Sequence, residues 1–379
     1  MNIRTAKKIL PAVLLSLLCG CASDQVFVES CQVSGVPAVR LKNDCISAEI
    51  APECSGIFSA LRMNGSPAMI APVVYRVEED DLLPPVREQN AAGGRAALWG
   101  FQIRPYSMTL QRSGRMPDGS GLVEMDCRHW LGQPLIMTRT YCLSPGEFRF
   151  RVATTVKNTA AVEQQISLWE NFSGLLRRDN LADELLFPVK GGVSRLGNYG
   201  VKHFKSDALF RKVQKLDKGS YKIAVREPWA ARSRTGAPLL VLRAVRLGPQ
   251  GFFYTWSGTE LEHTTEAVQT SAAVPPGGTC SFEVEYLVFP EMPDFRGLCG
   301  DSAVGMTVRE NQVVFTLAAC RRLEAGEFRV AGLGAAATGV IEPGKTVQVS
   351  FPRPEKWRMD VPVCGTFQGV NFTLLPLFP

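Results

Sequence analysis

Histidine is scarce in this 379-residue chain: there are three, His129, His203 and His263. None of the eleven cysteines stands in a Cys-x-x-Cys pair, and no cluster has zinc-site spacing, so neither a structural metal nor any cofactor is implied. Equally absent are a Gly-x-Ser-x-Gly nucleophile elbow, a phosphate-binding loop, a His-Glu-x-x-His pair and a Gly-x-Gly-x-x-Gly turn after a strand. Without them, serine hydrolysis and nucleotide chemistry have no support. Long helices are disfavoured as well, because 25 prolines and 34 glycines are scattered through the chain.

What is present begins at the N-terminus. Arg4, Lys7 and Lys8 form a cationic head, Ile9 to Leu18 an apolar run, and Gly20 a small residue directly before Cys21. The run is too short for a permanent transmembrane helix, which needs roughly 20 residues. The pattern is that of a secretory signal over 1–21 ending in a bacterial lipoprotein box, with Cys21 lipidated as the new N-terminus. Ala22 after the cysteine is compatible with transfer to the outer membrane, so the expected location is the cell envelope. No acidic residue stands in 1–21, so losing this segment lowers the formal net charge from +6 to +3. That small, evenly spread excess does not suggest nucleic-acid binding, which usually shows a concentrated basic face.

From there the chain reads as strands. Cys45 to Ile50, Phe148 to Ala153 and Ser281 to Tyr286 alternate by two. Turn signals separate such runs: Asn64-Gly65-Ser66-Pro67, Pro117-Asp118-Gly119, Ser144-Pro145-Gly146 and Pro275-Pro276-Gly277-Gly278. The best helical candidate is short, from Asn180 to Leu186. A tether is expected over 22–34, although Val26-Phe27-Val28 also suits a strand. Near Phe289-Pro290-Glu291-Met292-Pro293 a boundary is expected. Beyond it, Gly305 to Arg309, Gln312 to Ala318, Gly326 to Val330, Lys345 to Phe351, Trp357 to Pro362 and Gly369 to Leu374 suit the strands of a small Ig-like sandwich. Some of the nine cysteines after Cys21 should pair in an oxidising compartment, with at least one left over. Cys127 and Cys142 flank a turn at Gly132-Gln133-Pro134 and are candidates for neighbouring strands. Buried free thiols are the alternative for several.

Four stretches carry a resemblance to a family. Leu41 to Pro52 followed by Gly56 to Leu61 resembles an opening hairpin, and Gly93-Gly94-Arg95 with Leu98-Trp99-Gly100 the loop after it. Val152 to Thr159 with Gln165 to Phe172 is similar to a central strand pair leading into a sugar cleft, and Val274 to Thr279 before Phe282-Glu283-Val284 to the turn into a closing strand. Together they resemble the galactose mutarotase-like (aldose 1-epimerase-like) proteins. The resemblance implies an all-β fold: a large β-supersandwich over 35–292, followed by the Ig-like β-sandwich over 297–379.

Mutarotases of this kind use a histidine acid and a carboxylate base, because opening a cyclic hemiacetal needs a proton given to the ring oxygen and one taken from the anomeric hydroxyl. The stretch matching their acid, Leu168-Trp169-Glu170-Asn171-Phe172, holds no histidine. The base position corresponds to Glu266. His263 would be a substitute acid only across a bulge, since residues three apart on a strand face opposite ways. Trp169, Glu170 and Asn171 are the leading sugar-binding candidates: an aromatic plate, a carboxylate and an amide for hydroxyl groups. Trp99 and Arg104 follow, the arginine suited to an acidic sugar. Core packing competes for Trp169, and core burial is the default for Trp256. The leading expectation is an envelope lipoprotein that binds a carbohydrate or glycan fragment and meets the membrane through its lipid. A sugar epimerase using Glu266 and His263, and a structural or assembly lipoprotein with a degenerate site, are the alternatives.

The lipid expectation has a direct check. Cells expressing the full chain and fed labelled palmitate should incorporate label, and Cys21→Ser should abolish it; label retained in the variant refutes the anchor.

Overall fold

Alternation by two governs the middle of the chain. Along Gly121–Arg128, Leu135–Leu143 and Arg149–Asn158 every second side chain is buried, the period at which a pleated strand presents its two faces. The computed structural model describes residues 25–33, 35–54, 57–63, 94–98, 107–175, 184–197, 210–212, 220–233, 235–248, 251–257 and 262–377. Among these the chain forms strands and two 3-10 turns, Pro52–Cys54 and Trp130–Gly132, and no α-helix.

Two large sheets face each other. From edge to edge, a ten-stranded sheet runs Phe27–Val33, Val36–Lys42, Ile46–Ala51, Ile57–Met63, Gly94–Leu98, Leu168–Leu175, Glu262–Val268, Phe252–Ser257, Ser220–Ile223 and Phe210–Lys212. A nine-stranded sheet runs Gly192–Gly197, Glu184–Val189, Trp229–Ser233, Leu239–Ala244, Thr279–Phe289, Arg149–Asn158, Leu135–Leu143, Gly121–Arg128 and Thr109–Arg115. Between them lies one apolar core, to which the ten-stranded sheet gives Leu168, Ile223, Phe253 and Ala267, and the nine-stranded sheet Tyr141, Phe150, Phe187 and Tyr286. The Phe187 and Phe253 rings meet at 6.3 Å across the gap; truncating such a ring to alanine costs about 3–5 kcal/mol.

Buried amides tie turns to this core. Asn43 Oδ1 accepts the N–H groups of Cys45 and Ile46 at 2.8 and 2.7 Å. Its Nδ2 donates across to the carbonyls of Ser144 and Glu147 at 2.7 and 2.8 Å, fastening a turn of one sheet to a turn of the other. At Pro117-Asp118-Gly119 and Pro275-Pro276-Gly277-Gly278 the chain reverses through Gly119 and Gly277 at φ 83° and 73°, a backbone region that glycine enters without a Cβ penalty.

After Thr279–Phe289 the chain builds a second sandwich from two four-stranded sheets: Phe295–Cys299, Ser302–Val308, Gln312–Ala319, Thr346–Pro352; and Gly334–Thr338, Gly326–Val330, Val363–Phe367, Val370–Leu374. Its core centres on Phe328, which stacks on Phe372 at 5.3 Å and also meets Phe315, Phe351 and Phe367. The two sandwiches are welded together. The Phe148 N–H donates to the Cys320 carbonyl at 2.6 Å and Val193 N–H to Pro376 at 2.7 Å. Trp229 meets Phe295 edge-on at 5.3 Å. Asp301 accepts from Arg321 at 2.8 Å and Arg243 at 3.0 Å, with Arg149 at 3.4 Å.

Several expectations are corrected. Glu184–Val189 is a strand, so the helix expected over 180–186 is not formed at Glu184–Leu186. Its five buried residues in a row suit a strand covered on both faces as well as a helix, and Pro188 disfavours the helix. The tether expected over 22–34 does not include Phe27–Val33, which pairs along its length with Val36–Lys42. Trp357 to Pro362 forms no strand; Val363–Phe367 does, and Phe295–Cys299 and Gly334–Thr338 are additional. Cysteine pairing is not met among the described residues, where Cys31, Cys45, Cys127, Cys142, Cys280, Cys299, Cys320 and Cys364 are free thiols. Cys127 and Cys142 do stand on neighbouring strands, but opposite Met137 and Leu122, at far ends of the ladder. Burial pushes the Cys45 and Cys320 thiols up to about 12 and Cys299 to about 11, which keeps them protonated and unreactive.

At the junction, burial raises the pKa of Asp301, but hydrogen bonds from Arg243 and Arg321 and the charges of Arg149 and Arg243 outweigh it. The carboxyl therefore sits below its usual value of 3.8. A carboxylate depressed in the fold stabilises above its unfolded pKa, and that contribution disappears as pH falls through the folded value. Melting curves should show the wild type losing stability steeply below about pH 4, while Asp301→Asn starts lower at pH 7 and falls less. Parallel curves would contradict this role.

Candidate functional site

Strand order in the ten-stranded sheet brings distant segments into rows. Gly94–Leu98 pairs Leu168–Leu175, which pairs Glu262–Val268, then Phe252–Ser257, then Ser220–Ile223. One row reads Ala97, Trp169, Val268, Phe252. Two residues along each strand, the next same-face row reads Arg95, Asn171, Glu266, Tyr254, Lys222. The rows of opposite parity contain Leu168, Glu170, Ala267, Phe253 and Ile223, all of them buried and, Glu170 apart, all in the inter-sheet core. The first two rows therefore belong to the outer face of the sheet, away from that core.

On this face Trp169 and Val268 are buried at 7 % and 0 % exposure and pack with Phe252 and Tyr254 as a separate apolar cluster. Beside them Glu266 is 2 % exposed. The Lys222 ammonium lies 4.8 Å from the centre of the Phe252 ring, a cation–π distance. Asn171 and Arg95 are placed by register alone. The arrangement offers an aromatic wall beside a row of hydrogen-bonding and charged residues, the pairing that suits a ring with an apolar face and a hydroxylated rim. Among the described residues, no group of three or more His, Cys, Asp and Glu side chains converges as a metal site would require.

Glu170 belongs elsewhere. It is 1 % exposed and points into the core, where Arg139 grips it with both terminal nitrogens, Nη1 at 2.9 Å and Nη2 at 2.8 Å. Arg139 Nε donates to Tyr141 Oη at 2.7 Å, and Tyr286 Oη donates to Glu170 Oε1 at 3.1 Å. Burial pushes the Tyr141 phenol up to about 12, against the pull of the Arg139 charge. Burial, then the Glu170 carboxylate, lifts Tyr286 well above its usual range. Both phenols stay neutral hydrogen-bonding groups inside the core. The sequence signal for this cluster was Arg139 itself, at the buried parity of Leu135–Leu143 among Leu135, Met137, Tyr141 and Leu143: a charge in that position requires a partner.

Of the residues singled out from sequence, Trp169, Asn171 and Glu266 share the outer face, Asn171 directly opposite Glu266. His263 stands on the same continuous strand, opposite Gly174 and Ser257, with no bulge between it and Glu266. Their parities differ, so the strand does not bring them to one face. Trp99, Arg104 and Cys21 lie outside the described residues. Sequence reasoning passed over Lys222 and gave no role to Tyr254. Alternation in Phe252-Phe253-Tyr254-Thr255-Trp256 marks its face, but only the strand order sets Tyr254 against Glu266.

No described protein family matches the chain, and no curated protein does. The chain is similar to solved structures. A TPR-domain containing protein from Parabacteroides distasonis is 12 % identical, with TM-score 0.47, over 67 % of this chain and 47 % of its own. A galactose mutarotase-like protein from Clostridium acetobutylicum is 11 % identical, with TM-score 0.46, over 70 % of this chain and 98 % of its own. Another galactose mutarotase-like protein, from Lactobacillus casei, is 11 % identical, with TM-score 0.43, over 66 % and 99 %. The chain spans about half the length of the first and nearly all of the other two. At such identities no residue role passes from these proteins to this chain.

The buried pair makes a stability prediction. Glu170→Gln leaves the Arg139 charge in the core without its carboxylate and should cost about 3–5 kcal/mol in denaturant unfolding. Joint replacement Arg139→Met with Glu170→Leu should recover most of that loss. Equal destabilisation by the single and double variants would contradict the pairing.

Proposed function

We propose that this protein binds a carbohydrate on the outer face of its ten-stranded sheet while a lipid on Cys21 holds it at the bacterial cell envelope. The observation that carries the reading is the adjacency of Trp169, Phe252 and Tyr254 to Glu266 and the Asn171 position on one face. The resemblance of the opening hairpin and central strands to galactose mutarotase-like proteins supports the same ligand class. Fold likeness cannot choose between holding a sugar and turning it over; residues can. By the sequence resemblance Glu266 corresponds to the base, but the stretch matching the acid has no histidine, and His263 has the opposite parity. Ring opening needs both an acid and a base at one sugar, so binding is favoured over epimerisation. Specificity for hydroxyls would come from Glu266 and Asn171, and ring stacking from Trp169.

Calorimetry of the full chain against a broad oligosaccharide panel should find at least one binder, and Trp169→Ala should weaken it about tenfold, the cost of a central aromatic anchor. No binding across the panel would overturn the proposal. A polarimetric mutarotation assay should show no acceleration; acceleration lost in Glu266→Gln would replace binding by epimerase activity.

A further inference from the structure

The row through Glu266 has cationic residues toward both of its ends. Arg95 is opposite Asn171, Asn171 opposite Glu266, Glu266 opposite Tyr254, Tyr254 opposite Lys222, and Lys222 opposite Arg211. Six strands contribute one residue each, so the row holds three cationic residues, Arg95, Lys222 and Arg211, to one carboxylate. Neighbouring strands lie about 4.8 Å apart, which puts Arg95 and Lys222 about 19 Å from each other. That span is several sugar rings long.

Lys222 is half-buried, and its ammonium is seated over the Phe252 ring at 4.8 Å, at the edge of the aromatic cluster that includes Trp169. The contact holds the charge beside the aromatic wall, where a ring stacked on that wall would bring its substituents. At the other end of the same sheet the row through Arg40 is composed differently. There Arg40 bonds Glu29 at 2.8 Å and Glu49 at 2.9 Å, one cation to two carboxylates.

Taking the carbohydrate reading above as its basis, we propose that the ligand is an anionic oligosaccharide, bearing carboxylate or sulfate groups, laid across the strands along this row. Lys222 and Arg95 take its negative groups, since charge-assisted hydrogen bonds to ammonium and guanidinium are the strongest contacts such groups make. Asn171, Tyr254 and Glu266 take hydroxyls from the rings between. The aromatic row holds their apolar faces.

The experiment compares probes that differ in charge. Calorimetry with the full chain would use galacturonic acid tetramers against their methyl esters, and sulfated against unsulfated galactan tetramers, at low salt. The charged member of at least one pair should bind about tenfold more tightly. Which pair shows it identifies carboxylate or sulfate as the recognised group. Lys222→Met should shrink the preference and Lys222→Arg should retain it, with melting curves confirming that both variants fold; Lys222→Gln replaces Lys222→Met if that variant does not. Equal affinity within both pairs overturns the inference while the carbohydrate reading stands. A preference that survives Lys222→Met combined with Arg95→Met also overturns it. If no member of either pair binds and the broad panel also fails, it is the carbohydrate reading itself that falls.

Discussion

The grip of Arg139 on Glu170 joins the two large sheets at one fixed point. Arg139 lies in Leu135–Leu143 of the nine-stranded sheet and Glu170 in Leu168–Leu175 of the ten-stranded sheet, and two hydrogen bonds of 2.8 and 2.9 Å span the gap. Taking both charges out of water is costly, and their attraction roughly repays it only with good geometry and further partners. Tyr141 and Tyr286 supply those partners. The consequence is positional. With Glu170 committed to the core, its neighbours Trp169 and Asn171 have the outward parity, and a slip of one residue would invert every position on that strand. The buried pair thus sets which residues of the central strand belong to the outer face.

The outer face then follows from strand order. Trp169 lies across from Val268 and Phe252, and the Asn171 position from Glu266 and Tyr254, because Leu168–Leu175, Glu262–Val268 and Phe252–Ser257 are consecutive in the sheet. These segments are about a hundred residues apart in sequence for the first two, and no local pattern joins them. The second sandwich leaves this face alone among the described contacts. It docks through Phe148, Trp229, Arg149 and Arg243, all from the nine-stranded sheet or the turns beside it.

Much of the fold was legible because its signals are local. Strict alternation in Arg149–Asn158, and proline-glycine turns at Gly119, Gly146 and Gly277, need no knowledge of the rest of the chain. The helix expected at Asn180 to Leu186 failed where a run is buried on both faces and periodicity is silent. The site was legible in part. Trp169, Asn171 and Glu266 were singled out and do share a face, whereas Glu170 was misplaced because a carboxylate in a strand reads the same whether it meets a sugar or a buried arginine. Lys222 and Tyr254 acquire meaning only through their cross-strand neighbours. Disulfides expected from an exported chain are not found among the described thiols, since Cys127 and Cys142 share a ladder but not a rung.

The central claim is that one face of one sheet receives the ligand. Photocrosslinking with a diazirine-bearing form of whichever oligosaccharide binds, mapped by mass spectrometry, tests it most directly. The account predicts adducts within 168–175, 252–257, 262–268 and 220–223, competed away by the unlabelled sugar. Competable adducts confined to the nine-stranded sheet or to the C-terminal sandwich would contradict it.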